Sequence, residues 1–395
     1  MNTVPAWTNL PFAVYLLAIA VVPLFFGHFW EKNRNKFIIA VIASLPVVAF
    51  LATQEHGGEL LLHSAKEYVA FIVLLASLFI ISGGVYLRGS LAGTPLVNTG
   101  MLGIGALLAS FIGTTGASML LIRPLLRANE KRDRKVHLVI FFIFIVSNGA
   151  GMLTPLGDPP LFLGFLRGVP FLWTLKLWQP WLLVNGVLLV LFNLVDQRML
   201  NKEEKERPGS QLEEVQKVKE PLKIEGGINF LWLLGVVGVI FGAGQLLQKK
   251  TFGDDVVLLI QVVGMLAMAG LSMATTSKAI REANKFTWGP IIEVAVIFLG
   301  IFVTMVPALK YLETADLGVT QPWQYFWASG ALSSFLDNAP TYLTFASLAV
   351  GVVNQMDPSA HLTAENLGAQ AANPNGGHFL TAVSCGSDFM GANTY

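Results

Sequence analysis

The sequence predicts an all-α polytopic membrane protein made of two inverted repeats, each with three spanning helices, a re-entrant hairpin and a broken helix. Three observations lead there. Of the 395 residues, 54% are hydrophobic and only 13% are charged, against about 25% charge in a soluble domain. Apolar runs at 10–30, 36–53, 67–87, 228–247, 254–275 and 288–309 approach or exceed the ~20 residues a spanning helix needs. One charged stretch, 197–226, separates two hydrophobic halves whose polar landmarks recur in the same order. Strand alternation is absent, which argues against a transmembrane barrel.

The N-terminal run "MNTVPAWTNLPFAVYLLAIAVVPLFF" lacks the basic start of a cleaved signal peptide and is taken as the first span. Positive charge then sets topology. With the N-terminus outside, only Lys66, Arg167, Lys176, Lys249, Lys250 and Lys310 fall on the outer side. Arg123, Arg127 and the "KRDRK" run become anchors on the inner side. This describes a multi-pass protein of the inner (plasma) membrane. The distribution works only if 94–128 and 322–353 dip in and return to the same side. The arms flanking "DNAP" in the second have about 13 residues, about 20 Å at helical rise, short of the ~30 Å core.

The first repeat therefore covers 1–196, with its hairpin at 94–128, a broken helix at 136–168 and a connecting helix at 179–196. The linker is 197–226. The second repeat covers 227–395, with its hairpin at 322–353 and a truncated broken helix at 378–395. "GALLASF" (105–111) echoes "GALSSF" (330–335), and "SNGAGMLTP" (147–155) lines up with "SDFMGANTY" (387–395). The tryptophan-rich "FLWTLKLWQPW" (171–181) reads as interfacial.

The break at "SNGAGMLTPLGDPPLFLG" (147–164) carries the chemistry. Pro155, Pro159 and Pro160 interrupt helical bonding, while Gly149, Gly151, Gly157 and Gly164 permit close backbone approach. Irregular backbone at membrane depth belongs in protein or beside a wet cavity, and half-helix ends can hold ions there. A carboxylate inside a bilayer costs at least ~2.5–3.5 kcal/mol unless it binds a cation, carries a proton or pairs with a base. Asp158 is such a group, and no lysine or arginine in the apolar spans is evident as its partner. Asp337 repeats the pattern at the second tip. Asn148, Thr114, Thr115, Ser118, Thr154, Gly157, Asn338 and Thr341 add oxygen ligands suited to a hard monovalent cation such as sodium.

The bland alternatives stay open. "LGDPP" fits a surface turn and "DNAP" a solvated turn or helix cap. Glu293 is either an interfacial carboxylate or a proton carrier. Asp388 is either intramembrane or near an entrance. The lone Cys385 rules out an internal disulfide. The six histidines show no metal-ligand spacing, and no Walker motif points to ATP drive. No enzyme chemistry, resident cofactor or nucleic-acid partner is expected.

"TPLGDPP" (154–160), together with "SSFLDNAPTY" (333–342), resembles the ion transporter superfamily. That group includes citrate transporter-like proteins, arsenite permeases, dicarboxylate transporters and NhaD-type sodium/proton antiporters. The resemblance implies that tips 114–118 and 337–341 and loop 154–160 meet at a transport site. It also implies a homodimer in which a transport unit moves against a scaffold. Two departures stand out. "GTTGAS" replaces the Ser-Asn-Thr signature of dicarboxylate members, and the chain ends at "GANTY", where the second broken loop is expected to begin. The leading expectation is sodium/proton antiport at Asp158 and Asp337, with Glu293 and Asp388 on the proton path. The alternatives are cation-coupled uptake of a citrate-like carboxylate, and a channel or non-transporting scaffold.

Overall fold

The apolar runs are helices. A computed structural model describes residues 4–89, 91–206, 223–248, 252–315 and 317–391. Among the described residues, nine helices are long and apolar enough to cross a membrane. The all-α polytopic prediction holds at that level. The first half runs α1 (Leu10–Phe25), α2 (Asn33–Ala52), α3 (Gly57–Ser82), then the adjacent pair α4 (Pro95–Ile112) and α5 (Thr114–Ala128). Next comes α6 (Val136–Phe142), which passes into a π turn over Ile143–Gly149 and a 3-10 turn over Gly151–Leu153. The short α7 (Pro159–Leu166) and the long α8 (Trp178–Glu206) complete it. The second half contains α9 (Ile228–Gln248), α10 (Asp254–Thr275) and α11 (Gly289–Leu312). It continues with α12 (Pro322–Ser333), α13 (Asn338–Met356), the short α14 (Leu367–Ala372) and α15 (Pro374–Gly391).

Helices α1–α3 and α9–α11 pack into one group, and α4–α8 with α12–α15 into a second. Lipid tails are as apolar as leucine, so close packing and interhelical hydrogen bonds must hold such groups together. The seam of α3 and α11 shows both. Ser64 donates to the Phe302 carbonyl at 2.6 Å and Tyr68 to the Ala295 carbonyl at 2.9 Å. The Phe71 ring sits 4.7 Å from Phe298 and 5.6 Å from Phe302. Tyr15 of α1 donates to the Ile297 carbonyl at 2.9 Å, across a gap that Gly300 leaves open. A Cβ at position 300 would stand 2.5 Å from the tyrosine ring. On the outside, Leu24, Phe25, Leu96 and Leu183 are exposed apolar side chains that face lipid.

The α4–α5 turn depends on Gly113, whose φ of 80° and ψ of 150° lie in a region open essentially to glycine alone. Gly113→Ala is expected to lower stability by about 1–3 kcal/mol. A thermal melt in detergent checks this.

The structure differs from the sequence reading in several places. Helix α8 runs ten residues into the stretch taken as linker, and those residues have work to do. Glu203 accepts from Arg132 Nε at 3.4 Å and from the Arg134 backbone N–H at 2.9 Å, and Glu206 pairs with Arg134 at 2.9 Å. Arg132 is not a wet anchor. It is fully buried and also bonded to Asp196, which accepts from Asn98 at 2.9 Å and lies 2.9 Å from His137 Nε2. A two-stranded antiparallel ladder joins β1 (Tyr86–Arg88) to β2 (Lys223–Glu225), where no strand was expected. In the second hairpin α12 has 12 residues, close to the arm of about 13 assumed for re-entry, whereas α13 has 19 and is longer. Residues 207–222 of the expected linker, Lys249 and Lys250, and residues 392–395 of the expected second loop lie outside the described residues.

Candidate functional site at the broken helix

Local sequence explains the shape of the break. The chain leaves the 3-10 turn at Leu153, becomes extended at Thr154 and again at Asp158, then starts α7 with Pro159 and Pro160. Proline at the first helical position loses only an N–H that had no helical partner. The loop closes on itself through two glycines: a Cβ at Gly157 would overlap the Gly151 backbone, and one at Gly151 would meet the Asp158 Cβ at 2.8 Å.

The carbonyls freed by the break are satisfied from neighbouring helices, as buried backbone in lipid requires. Asn185 donates to Gly149 O at 3.0 Å, and Trp181 Nε1 donates to Ala150 O at 3.0 Å. Ser110 also donates to Ala150 O at 2.5 Å, and Thr174 to Leu153 O at 3.0 Å. The Thr114 N–H donates to Gly157 O at 3.0 Å, which ties the first tip to the loop. Trp181 and Thr174 are buried here. They belong to the stretch read as interfacial, so that reading fails for these two side chains.

Asp158 is 5% exposed, and its carboxylate makes no bond to its own helix. It accepts from Asn338 Nδ2 at 2.7 Å. Thr114 presents its hydroxyl to it, the Asp388 carboxyl faces it, and Asp337 is close enough to act on its charge. Asp388 is fully buried, and neither of its carboxylate oxygens meets a hydrogen-bond donor. Among the described residues, no ion pair joins Asp158, Asp337 or Asp388 to a lysine or arginine. A cavity of about 100 Å³ opens beside Asp158, lined by Thr114, Thr115, Gly157, Phe79, Pro290 and Ile291 among others.

Three helix N-termini point at this spot. Helix α7 begins directly after Asp158, α5 begins at Thr114, and α13 begins at Asn338. Each helix start carries roughly half a positive charge from aligned peptide dipoles. The dipoles of three helix starts therefore stand where, among the described residues, no lysine or arginine pairs with the acids.

Other expected site residues are occupied elsewhere. Asp337 caps α13 by accepting from the Ala339 N–H at 2.9 Å, which matches the helix-cap alternative. Thr341 donates to the Asp337 carbonyl at 2.9 Å. Ser118 is bonded to Ser147 at 2.8 Å, Thr154 to the Ser110 carbonyl, and Asn148 to the Asp388 carbonyl. Thr115 remains exposed in the cavity wall. Glu293 does not line that cavity; it is bonded to Lys36 at 2.5 Å and is half exposed. The proton-path role expected of it has no support in this geometry, because its carboxylate is turned to a lysine on α2.

Sequence reasoning missed a second buried pair. Arg167, just past α7, donates through Nε and Nη2 to both oxygens of Glu67 on α3, at 2.8 Å each. A glutamate at the head of the apolar run 67–87 was the available signal.

The whole chain, residues 1–395, matches the family CitMHS_2, described as "Putative citrate transport". The chain belongs to this family. A search of curated proteins found no match. Membership places the multi-pass architecture in a citrate transporter-like family.

Proposed function

We propose that the chain is a secondary active transporter that carries a citrate-like carboxylate across the membrane, coupled to protons or sodium at Asp158 and Asp388. Family membership supports the substrate class. The observation that carries the mechanism is the convergence of three helix N-termini on two facing carboxyl groups. The helix ends attract the anion. The two acids cannot both stay charged at close range without a proton or metal cation between them. Loading that cation neutralises the site and lets an anionic cargo approach; its departure expels the cargo. Flux of one ion is thereby tied to flux of the other.

The order of elements supports the inverted-repeat reading. Each half runs three long helices and an adjacent pair, followed by a helix that ends in a polar, glycine-containing stretch, "SNGAG" in the first half and "SDFMG" in the second. Movement of the site-bearing group against the other would switch access. A homodimer, with the N-terminus outside and the protein in the plasma membrane, completes the proposal.

Sodium/proton antiport is the second reading, favoured by the absence, among the described residues, of any ion pair between the three aspartates and a basic side chain. Reconstituted vesicles separate the two. Labelled citrate should accumulate when an inward sodium or proton gradient is imposed and should not when the gradient is collapsed. Proton-linked sodium exchange that ignores citrate would overturn the carboxylate reading and leave antiport.

A further inference from the structure

The two helix groups touch along α3 and α11, and polar contacts bridge them at both ends of α3. These contacts differ in kind. At the end where α3 begins, the Glu67–Arg167 pair is almost wholly enclosed, at 5% and 6% exposure. Arg167 Nη1 also donates to Ala364 O at 3.2 Å. Around it, Lys310 of α11 pairs with Glu365 at 3.0 Å, and Glu313 accepts from the Ala364 N–H at 2.9 Å. Apart from the Arg167–Ala364 bond, which lies within the site-bearing group, these contacts join α3 or the end of α11 to that group. At the far end, Arg123 and Arg127 of α5 reach neutral acceptors among the described residues. Arg123 donates to Asn284 Oδ1 at 3.2 Å, and Arg127 to the Tyr86 hydroxyl at 2.9 Å.

The cavities match this asymmetry. The cavity beside Asp158 extends to Phe79 and Pro290, at the far end of α3 and the facing start of α11. A larger polar cavity of about 380 Å³ lies at the other end, with Glu67, Arg167, Asp254 and Glu365 in its wall. Asp158 does not line it. Between them stands α7, eight residues long, with Asp158 at its head and Arg167 just past its tail.

We propose that the Glu67–Arg167 pair, backed by Lys310–Glu365, is the latch that shuts the site off from the 380 Å³ cavity. It parts when Asp158 is exposed to that face. This rests on the transporter reading and adds the residues that hold one of its two states. A bidentate pair is suited to such a role because it is short-ranged and geometric. It holds fully when docked and releases within a small sliding movement.

The test measures sidedness of access, which does not depend on what is carried. Thr115→Cys is placed in a Cys385→Ser background as reporter, and a membrane-impermeant maleimide is applied to each face separately. Labelling should come from the Arg123 face in the parent. Glu67→Gln should raise labelling from the Arg167 face on the order of tenfold, as expected when a minor state becomes a major one. Lys310→Gln and Glu365→Gln lie at the exposed rim of the cluster and should shift labelling the same way, so the test stands even where Glu67→Gln fails to fold. The exchanged pair Glu67→Arg with Arg167→Glu should restore the parent pattern. Unchanged sidedness in the rim variants, or in a monodisperse Glu67→Gln protein, overturns the latch. A shift in sidedness with no citrate flux in any variant would keep the latch and count against the carboxylate reading instead.

Discussion

Asp158→Asn should abolish coupled transport and leave the protein at least as stable as the parent. The substitution keeps the size of the side chain and an oxygen that can still accept from Asn338 Nδ2, now at 2.7 Å. It removes the charge that a coupling cation needs. A fall in flux of at least about 100-fold is expected, equivalent to about 2.7 kcal/mol. Stability should hold or rise, because a buried carboxylate with no basic partner is a burden on folding. Vesicle flux and a detergent melt on the same preparation check both halves. Retained coupling in a variant that folds normally would remove Asp158 from the mechanism. Asn338→Ala provides the contrast, since it deletes a neutral ligand and should weaken transport without uncoupling it.

Arg132→Gln, at a buried position in the loop after α5, is expected to cost more stability than a substitution at any exposed loop residue. The guanidinium is fully enclosed with Asp196 and Glu203, whose side chains are 0% and 1% exposed. Removing one member of such a cluster leaves uncompensated buried charge, at a cost of about 3–5 kcal/mol. The cluster ties the loop after α5 to α8 and holds the start of α6 through His137. The variant should therefore melt early while any protein that survives still transports. Restoring charge balance with Glu203→Gln in the same chain should recover part of the loss. A melt identical to the parent would show that water reaches the cluster.

What was legible in the sequence was local. The spans announced themselves because runs of twenty apolar residues have few other uses. The break announced itself because three prolines and four glycines cannot continue a helix between apolar flanks. What stayed hidden was long-range pairing. Glu67 and Arg167 are 100 residues apart, and Lys36 and Glu293 are 257 apart, so neither pair leaves a spacing signature. Hydroxyl groups were over-read for a related reason. Ser118 and Thr341 look like ligands in a list of oxygens, yet one is satisfied by Ser147 and the other by the Asp337 carbonyl. A short polar side chain near a tip first serves the backbone around it. Arg132 was misjudged because a basic run next to a span is ordinarily wet. The helical extension that encloses it was hidden in a stretch of mixed charge.

The meeting of three helix starts at Asp158 has a consequence for anyone scanning the chain by mutation. The pull on an anion comes from peptide groups, which every residue but proline supplies alike. Swapping side chains one at a time would therefore find the acids and pass over the attraction itself. Only a change that tilts or unwinds one of those helices would reveal it.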